Sequence, residues 1–100
     1  MVAVRWTWDP AKELLNQRRH RLSLSDGIAV VDGNPLAISR PDPHADGDRW
    51  QTVGVAHSVA LLFVVHTEPI EYEDGRVVGR IISVRRATRH ERKAYEDGTL

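Results

Sequence analysis

The most informative stretch for the fold is residues 80–92, Arg80-Ile81-Ile82-Ser83-Val84-Arg85-Arg86-Ala87-Thr88-Arg89-His90-Glu91-Arg92. The first half of this stretch is rich in β-branched residues and predicts a strand over residues 77–85. Thr88 and Glu91 then form the pattern T-x-x-E, a capping box that predicts a helix to about residue 96. The stretch therefore predicts a sheet with a helix that follows directly from the end of one strand.

Positive charge is concentrated in the same stretch. From Arg76 to Lys93 the chain carries six arginines and one lysine against one acid, although the whole chain has 14 basic and 14 acidic residues. The guanidinium group is planar, permanently charged and matched to phosphate geometry. Because these arginines lie on a strand and a helix, the sequence predicts a preorganised phosphate-binding surface.

Composition limits the class of protein. The 100 residues are enough for one small domain, and 41% of them are hydrophobic, which supports one modest core. The absence of cysteine excludes disulfides, thiolate metal sites and a cysteine nucleophile. The longest apolar run is shorter than the roughly 20 residues of a membrane helix, and no signal peptide is evident. A cytoplasmic protein without membrane contact is expected.

The N-terminal third predicts one strand and two helices. A strand is expected over residues 4–8, and Asp9-Pro10 supplies the cap and first position of a helix to about residue 20. We assign Leu14 and Leu15 to the core face of this helix, with Lys12, Asn16 and Arg19 turned away from it. A second helix is predicted to begin at a Ser23 cap and to end at residue 31, although Gly27 weakens it.

Further strands are predicted over residues 36–39, 50–55 and 60–66. The first is expected at a sheet edge, and the last is continuously apolar and is expected at the centre. The strands between residues 50 and 85 have short connections. An α+β fold is therefore predicted, with a small, mostly antiparallel sheet, two N-terminal helices and one C-terminal helix.

The polar residues favour acid–base chemistry on a phosphate. The five histidines do not occur at metal-ligand spacing, and no nucleotide-binding or hydrolase motif is present. No metal and no cofactor are therefore expected. RNA supplies its own nucleophile, the 2′-hydroxyl, so its cleavage requires only a base, cations and an acid. His66, arginines and a tyrosine would suffice.

Each candidate also has a structural explanation. Strict alternation places Arg80 and Arg85 on opposite faces of their strand, so they could share a phosphate only if the strand bends. Arg80 could instead pair with an acid across the sheet. His66 ends a buried strand and could be structural, and Tyr95 could pack in the core. The remaining basic residues could form a solvated surface.

The chain resembles the BrnT toxins of bacterial type II toxin–antitoxin systems. The resemblance is carried, in order, by Trp8-Asp9-Pro10-Ala11-Lys12, Asn16, Arg19-His20, Pro35-Leu36-Ala37, Asp48-Arg49-Trp50, Gly54, Val64-Val65-His66-Thr67-Glu68, Arg80-Ile81-Ile82-Ser83, Arg85-Arg86-Ala87, Glu91-Arg92 and Tyr95-Glu96. These blocks extend from about residue 6 to residue 98, so residues 1–100 are expected to form a single BrnT-like domain.

The resemblance implies a fold similar to RelE-type ribonucleases and an endoribonuclease toxin that arrests translation. From the arginine-bearing strand together with this resemblance, we expect His66 to act as general base or acid and Arg80 and Arg85 to stabilise the phosphate and the transition state. Tyr95 is a second candidate for proton transfer. The residues expected to hold RNA are Lys12, His20, Arg86 and Arg92.

The resemblance also implies a partner. It predicts neutralisation by a BrnA-like ribbon-helix-helix antitoxin, through which the complex would bind operator DNA. A homodimer and a 2:2 complex with the antitoxin are both left open. Trp6 and Trp8 share one face of the first strand, so an exposed apolar patch covered by a partner is expected there.

One departure from the family pattern leaves the function open. The connection over residues 69–79 is longer and more acidic than the usual hairpin, and Glu71, Glu73 and Asp74 would repel an RNA backbone. The alternative is therefore a non-catalytic, antitoxin-binding subunit of a DNA-repressing complex. A plain RNA-binding domain is less favoured, because only 6% of the residues are aromatic.

Overall fold

The computed structural model describes residues 3–32, 34–44, 48–57 and 60–100. The predicted α+β fold is confirmed. The elements in chain order are β1 (Val4–Thr7), α1 (Pro10–His20), a 3₁₀ turn (Leu24–Gly27), α2 (Ile28–Val31), β2 (Ile38–Pro41), β3 (Arg49–Ala56), β4 (Ala60–Thr67), β5 (Ile70–Glu71), β6 (Val77–Arg86) and α3 (Arg89–Asp97). None of the helices in these ranges is long and apolar enough to cross a membrane.

The sheet has the strand order β1-β6-β4-β3-β2, with β5 also paired to β6. The β1–β6 pair is parallel and the other pairs are antiparallel. As predicted, β4 lies at the centre and β2 at an edge. One sheet face holds the main core under the N-terminal helices, and the other holds a smaller core under α3.

The prediction for the buried face of α1 is wrong. Leu14 and Leu15 are 61% and 42% exposed, whereas Asn16 is only 5% exposed. The helix begins as predicted, with the Asp9 carboxylate accepting from the Ala11 N–H. It packs mainly against β6, not across the sheet. The polar side of α1 therefore faces β6, because the edge of this strand presents backbone polar groups and not an apolar surface.

The Asn16 amide completes the hydrogen bonding of β6. Its Nδ2 donates to the Val84 carbonyl at 2.9 Å, and its Oδ1 accepts from the Val84 N–H at 3.0 Å. The same Nδ2 donates to the Leu22 carbonyl at 2.8 Å. A buried backbone group without a partner costs about 1–3 kcal/mol, so the side chain replaces a missing neighbouring strand.

The predicted second helix is also corrected. Ser23 caps it in a capping box with Asp26, but the segment is a 3₁₀ turn followed by the single turn of α2. The break falls at Gly27, where an added Cβ would lie 2.9 Å from a Val84 methyl group. The close approach to the sheet requires glycine here, and glycine weakens a continuous helix.

A β-bulge in β6 changes which residues share a face. Val65 lies opposite Ser83, but His66 lies opposite Ile81, so Ile82 is an extra residue without a partner on β4. Ile81 and Val84 are consequently both in the main core. Strict alternation is broken between them, and Arg80 and Arg85 both fall on the opposite face.

Trp6 and Trp8 do not form the predicted exposed patch. Both are half-buried against the main core. The Trp6 ring packs on Gly79, where an added Cβ would lie only 2.5 Å from a ring carbon. The Trp6 ring also contacts the His66 ring edge to face, with 5.5 Å between the two ring centroids. The two rings are therefore covered by the chain itself, and the reason for expecting a partner to cover them is removed.

The role of Asn16 is testable by replacing it with leucine. Asn16→Leu leaves the Val84 and Leu22 backbone groups unpaired, so the free energy of unfolding should fall by about 2–4 kcal/mol. Urea unfolding followed by tryptophan fluorescence measures it. Gln17→Leu is the matched control, since Gln17 is exposed on the same helix. Equal loss of stability in the two variants would contradict this role.

Candidate active site

Arg80 lies where two clefts meet. The smaller one, here called the bulge cleft, has a volume of about 130 Å³ and borders the bulge residues Ile81 and Ile82. Its other lining residues are Asp9, Lys12, Asp48, Arg49, Thr67 and Arg80. The larger one, here called the sheet-face cleft, has a volume of about 510 Å³ and shares Asp48, Thr67 and Arg80 with the first.

Three cations from three elements line the bulge cleft: Lys12 from α1, Arg49 from β3 and Arg80 from β6. All three are exposed. Arg49 is brought there by its register opposite Thr67, whose hydroxyl accepts from the Arg80 N–H at 2.9 Å. Of the two carboxylates in the lining, that of Asp9 already caps α1. The cleft thus provides a compact cationic site for an anion of phosphate size.

A second basic segment continues along α1. Lys12 also borders a cleft of about 100 Å³ between α1 and the edge of β6, together with Arg19 and His20. We call it the helix-edge cleft. Lys12 and Ile82 belong to both this cleft and the bulge cleft, so the two are contiguous. The polar side of α1 therefore carries Lys12 and His20, both predicted RNA-binding residues, beside the sheet edge.

The acidic segment after β4 leaves the bulge cleft open. Glu71, Glu73 and Asp74 line a shallow depression together with Tyr72 and Arg76, and of these five residues only Tyr72 also lines the sheet-face cleft. Asp74 is neutralised by Arg76, with Oδ2 and Nε 2.6 Å apart. Repulsion of an RNA backbone by these acids is therefore directed away from the cationic cleft.

His66 is buried on the main-core face of the sheet, opposite to the face that carries Arg80. It is 7% exposed, and both ring nitrogens are engaged: Nε2 lies 2.6 Å from the Thr52 hydroxyl and Nδ1 lies 2.9 Å from the Thr67 carbonyl. Because a carbonyl only accepts, Nδ1 carries the proton and Nε2 accepts from Thr52. Burial lowers the pKa of His66 below its usual 6.5, against the opposing effect of the Thr67 bond. The ring is neutral at pH 7 and does not line the bulge cleft.

Arg85 holds α3 against the sheet. Its Nη1 and Nη2 donate to the two carboxylate oxygens of Glu91 at 2.7 and 2.8 Å, and its guanidinium lies 4.1 Å from the Phe63 ring centroid. Glu91 is also the predicted capping-box residue of α3 and accepts from the Thr88 N–H. The bidentate bond with Arg85 is the main reason that the pKa of Glu91 falls to about 2.

The other predicted site residues lie apart from the clefts. The Tyr95 hydroxyl donates to the Leu36 carbonyl at 2.9 Å, and its ring packs against the smaller core. Arg86 and Arg92 are exposed and line none of the three clefts. The structure therefore brings Arg80, Lys12 and His20 together along one continuous groove, but not His66, Arg85, Tyr95, Arg86 or Arg92.

Sequence reasoning did not select Asp48 or Arg49 as site residues, and it noted Glu68 only as a polar position that matches the family, without a role. All three occur in the blocks that carry the family resemblance, which was the available signal. Arg49 begins β3 and Glu68 follows the end of β4. Antiparallel pairing brings these two strand ends together, so the strand assignments alone would have placed them side by side.

The Arg85–Glu91 pair makes stability depend on acid. The pKa of Glu91 is about 2 when folded and its usual value is 4.5, so the pair stabilises the fold above pH 4.5 and loses this effect as the pH falls towards 2. The full effect is up to about 3 kcal/mol. We expect the stability difference between the parent and Glu91→Gln, measured by urea unfolding, to shrink between pH 6 and pH 2.5. Since both proteins retain His66, its own titration cancels. A pH-independent difference would contradict this account.

The comparisons with known proteins agree with this architecture. The family model described as the ribonuclease toxin BrnT of type II toxin–antitoxin systems matches residues 8–91. The 1.1 Å crystal structure of the Brucella abortus ribonuclease toxin BrnT has a similar fold, with a TM-score of 0.64 and 21% sequence identity. That match covers 88% of this chain and 100% of the Brucella chain. No curated protein sequence matches this chain. Because the family model spans most of its length, the chain belongs to the BrnT family of ribonuclease toxins of type II toxin–antitoxin systems.

Proposed function

We propose that the chain is a metal-independent endoribonuclease that arrests translation by cleaving RNA, with the scissile phosphate bound in the bulge cleft. The observation that carries this proposal is the convergence of Lys12, Arg49 and Arg80 on one small cleft. Because their backbones are held by a helix and two strands, these cations are already placed around the cleft before charge develops on a phosphate. Membership of a ribonuclease toxin family supports the choice of RNA as the substrate.

The reaction needs no nucleophile from the protein. The ribose 2′-oxygen attacks phosphorus, a 2′-O–P bond forms, and the bond from phosphorus to the 5′-oxygen of the next nucleotide breaks. The products are a 2′,3′-cyclic phosphate and a 5′-hydroxyl. Asp48, which lines both the bulge cleft and the sheet-face cleft, is our candidate to accept the 2′ proton. Lys12 is our candidate to give a proton to the departing oxygen.

Arg49 and Arg80 stabilise the transition state in this proposal. Two guanidinium groups can hold the non-bridging oxygens as negative charge accumulates on them. The helix-edge cleft, with Arg19 and His20, would then bind a neighbouring phosphate of the same strand. The catalytic roles predicted for His66, Arg85 and Tyr95, and RNA binding by Arg86 and Arg92, stay predictions that this mechanism does not use.

A cognate antitoxin is the expected partner of a type II toxin. We propose a BrnA-like ribbon-helix-helix antitoxin that neutralises this chain in the cytoplasm and carries the complex to operator DNA. Exposed apolar residues, including Leu14 and Leu15 on α1 and Leu36 in the turn before β2, offer contact surface for it. A homodimer and a 2:2 complex are the two assemblies that native mass spectrometry of the co-expressed pair would distinguish.

The central test is the loss of cleavage when one cation is removed. Arg80→Ala and Arg49→Ala should each lower kcat/KM on a single-stranded RNA by about 100-fold or more. Arg18→Ala is the matched control, since Arg18 is an exposed arginine of α1 that lines none of the three clefts. It should stay within about threefold of the parent, as an exposed charge outside the site has little effect.

The same assay includes a chelator and a growth measurement. Cleavage in excess EDTA should match cleavage in magnesium, and expression of the parent chain alone in a bacterium should stop growth with loss of RNA. A folded, antitoxin-free chain that leaves single-stranded and ribosome-bound RNA intact would contradict the enzyme. In that case the non-catalytic, antitoxin-binding subunit becomes the better description.

A further inference from the structure

The sheet-face cleft contains groups that the proposed cleavage chemistry does not use. It adjoins the bulge cleft through Asp48, Thr67 and Arg80, and it is about four times larger. Ile70 and Val78, which are paired in the sheet, contribute apolar surface to it. A volume of about 510 Å³ lies in the range of clefts that bind small organic groups. A nucleotide whose phosphate occupies the bulge cleft would extend its base or its ribose into this space.

Tyr72 provides a surface for stacking. It lines the sheet-face cleft and is 47% exposed. The guanidinium of Arg76 lies 5.2 Å from its ring centroid and is itself held by Asp74. This cation–π contact favours the observed position of the ring, although the ring lies in a connecting segment. Exposed aromatic rings of this kind stack on the bases of single-stranded RNA.

A carboxylate that could read the edge of a base lies in the same cleft. Glu68 is exposed, and it has no hydrogen-bond or ion-pair partner within the described ranges. A carboxylate only accepts hydrogen bonds, and its two oxygens can accept two parallel ones. Guanine alone among the four RNA bases presents two adjacent donors, N1–H and N2–H, on its Watson–Crick edge. Adenine, cytosine and uracil each place an acceptor beside a donor, which a carboxylate repels.

We infer that the sheet-face cleft is a guanine subsite, in which the base stacks on Tyr72 and its N1–H and N2–H donate to Glu68. This inference rests on the proposed function for the position of the phosphate, but it assigns a specificity that the function does not require. It also accounts for acidic residues beside an RNA site. The charged backbone lies at the cations, and the neutral base lies at Glu68.

Binding of nucleotides tests the subsite without any cleavage. Guanosine 3′,5′-bisphosphate carries both a 3′-phosphate and a 5′-phosphate. It can therefore place its base in the sheet-face cleft whichever of the two phosphates occupies the bulge cleft. Calorimetric titration of the full chain should show it binding about tenfold more tightly than the adenosine and uridine analogues. Glu68→Gln should remove most of this preference. Glu73→Gln, the same change at an acid of the neighbouring depression, should keep it.

Tyr72→Leu separates stacking from edge recognition. Loss of the aromatic surface should weaken all three nucleotides by about fivefold or more and leave their order unchanged. Circular dichroism and thermal unfolding would establish that each variant is folded. Equal affinity for the three nucleotides, or a guanosine preference that survives Glu68→Gln, overturns the inference.

The outcomes also separate this inference from the proposed function. RNA cleaved without preference for guanosine next to the cut would remove the subsite and leave the ribonuclease. Guanosine preference in binding, lost in Glu68→Gln but accompanied by no cleavage, would support the subsite and remove the catalytic proposal.

Discussion

One extra residue in β6 determines how this structure is arranged. Ile82 has no partner on β4, so the alternation of side chains reverses between Ile81 and Val84. Both of these residues consequently enter the main core, while Arg80 and Arg85 share the other face. The same reversal directs Arg80 towards the two clefts and Arg85 towards Phe63 and Glu91. A regular strand would have sent one of the two arginines into the core, where an unpaired charge is very costly.

The edge of β6 beyond β1 imposes the second constraint. An open strand edge must be paired or covered, and here the Asn16 amide bonds to both backbone groups of Val84. Burial of an amide turns the polar side of α1 towards the sheet. Lys12, Arg19 and His20 follow on that side and line the groove. Stability and charge placement therefore have one cause, and the exposure of Leu14 and Leu15 is its consequence.

Much of the fold was predictable because its signals are local. The Asp9 cap, the Ser23 and Thr88 caps and the apolar run of β4 each depend on neighbouring residues, and each was correctly located. The bulge was not predictable, because one inserted residue leaves no periodic signature in ten residues of strand. The burial of Asn16 was missed for a related reason: an amide that pairs with a strand edge looks, in sequence, like a surface residue.

The candidate site was predicted only in part. Arg80 and Lys12 were selected by charge and by family resemblance, and they line the same cleft. Arg49 was overlooked, although it begins β3 and the pairing of β3 with β4 brings it opposite Thr67. His66 was predicted to transfer protons because of its residue type. Its burial, with both ring nitrogens hydrogen-bonded and the ring beside Trp6, follows from long-range packing. Residue type alone does not reveal such burial.

The geometry gives the arginines of β6 different roles. The bulge cleft would bind the phosphate, and the Arg85–Glu91 pair would fix α3. The most direct test is a crystal structure of the full chain with a short RNA made uncleavable by 2′-O-methyl groups. Our account predicts a phosphate between Lys12, Arg49 and Arg80, with Arg85 still bound to Glu91. A strand bound instead along α3, at Arg86 and Arg92 with the bulge cleft empty, would contradict it.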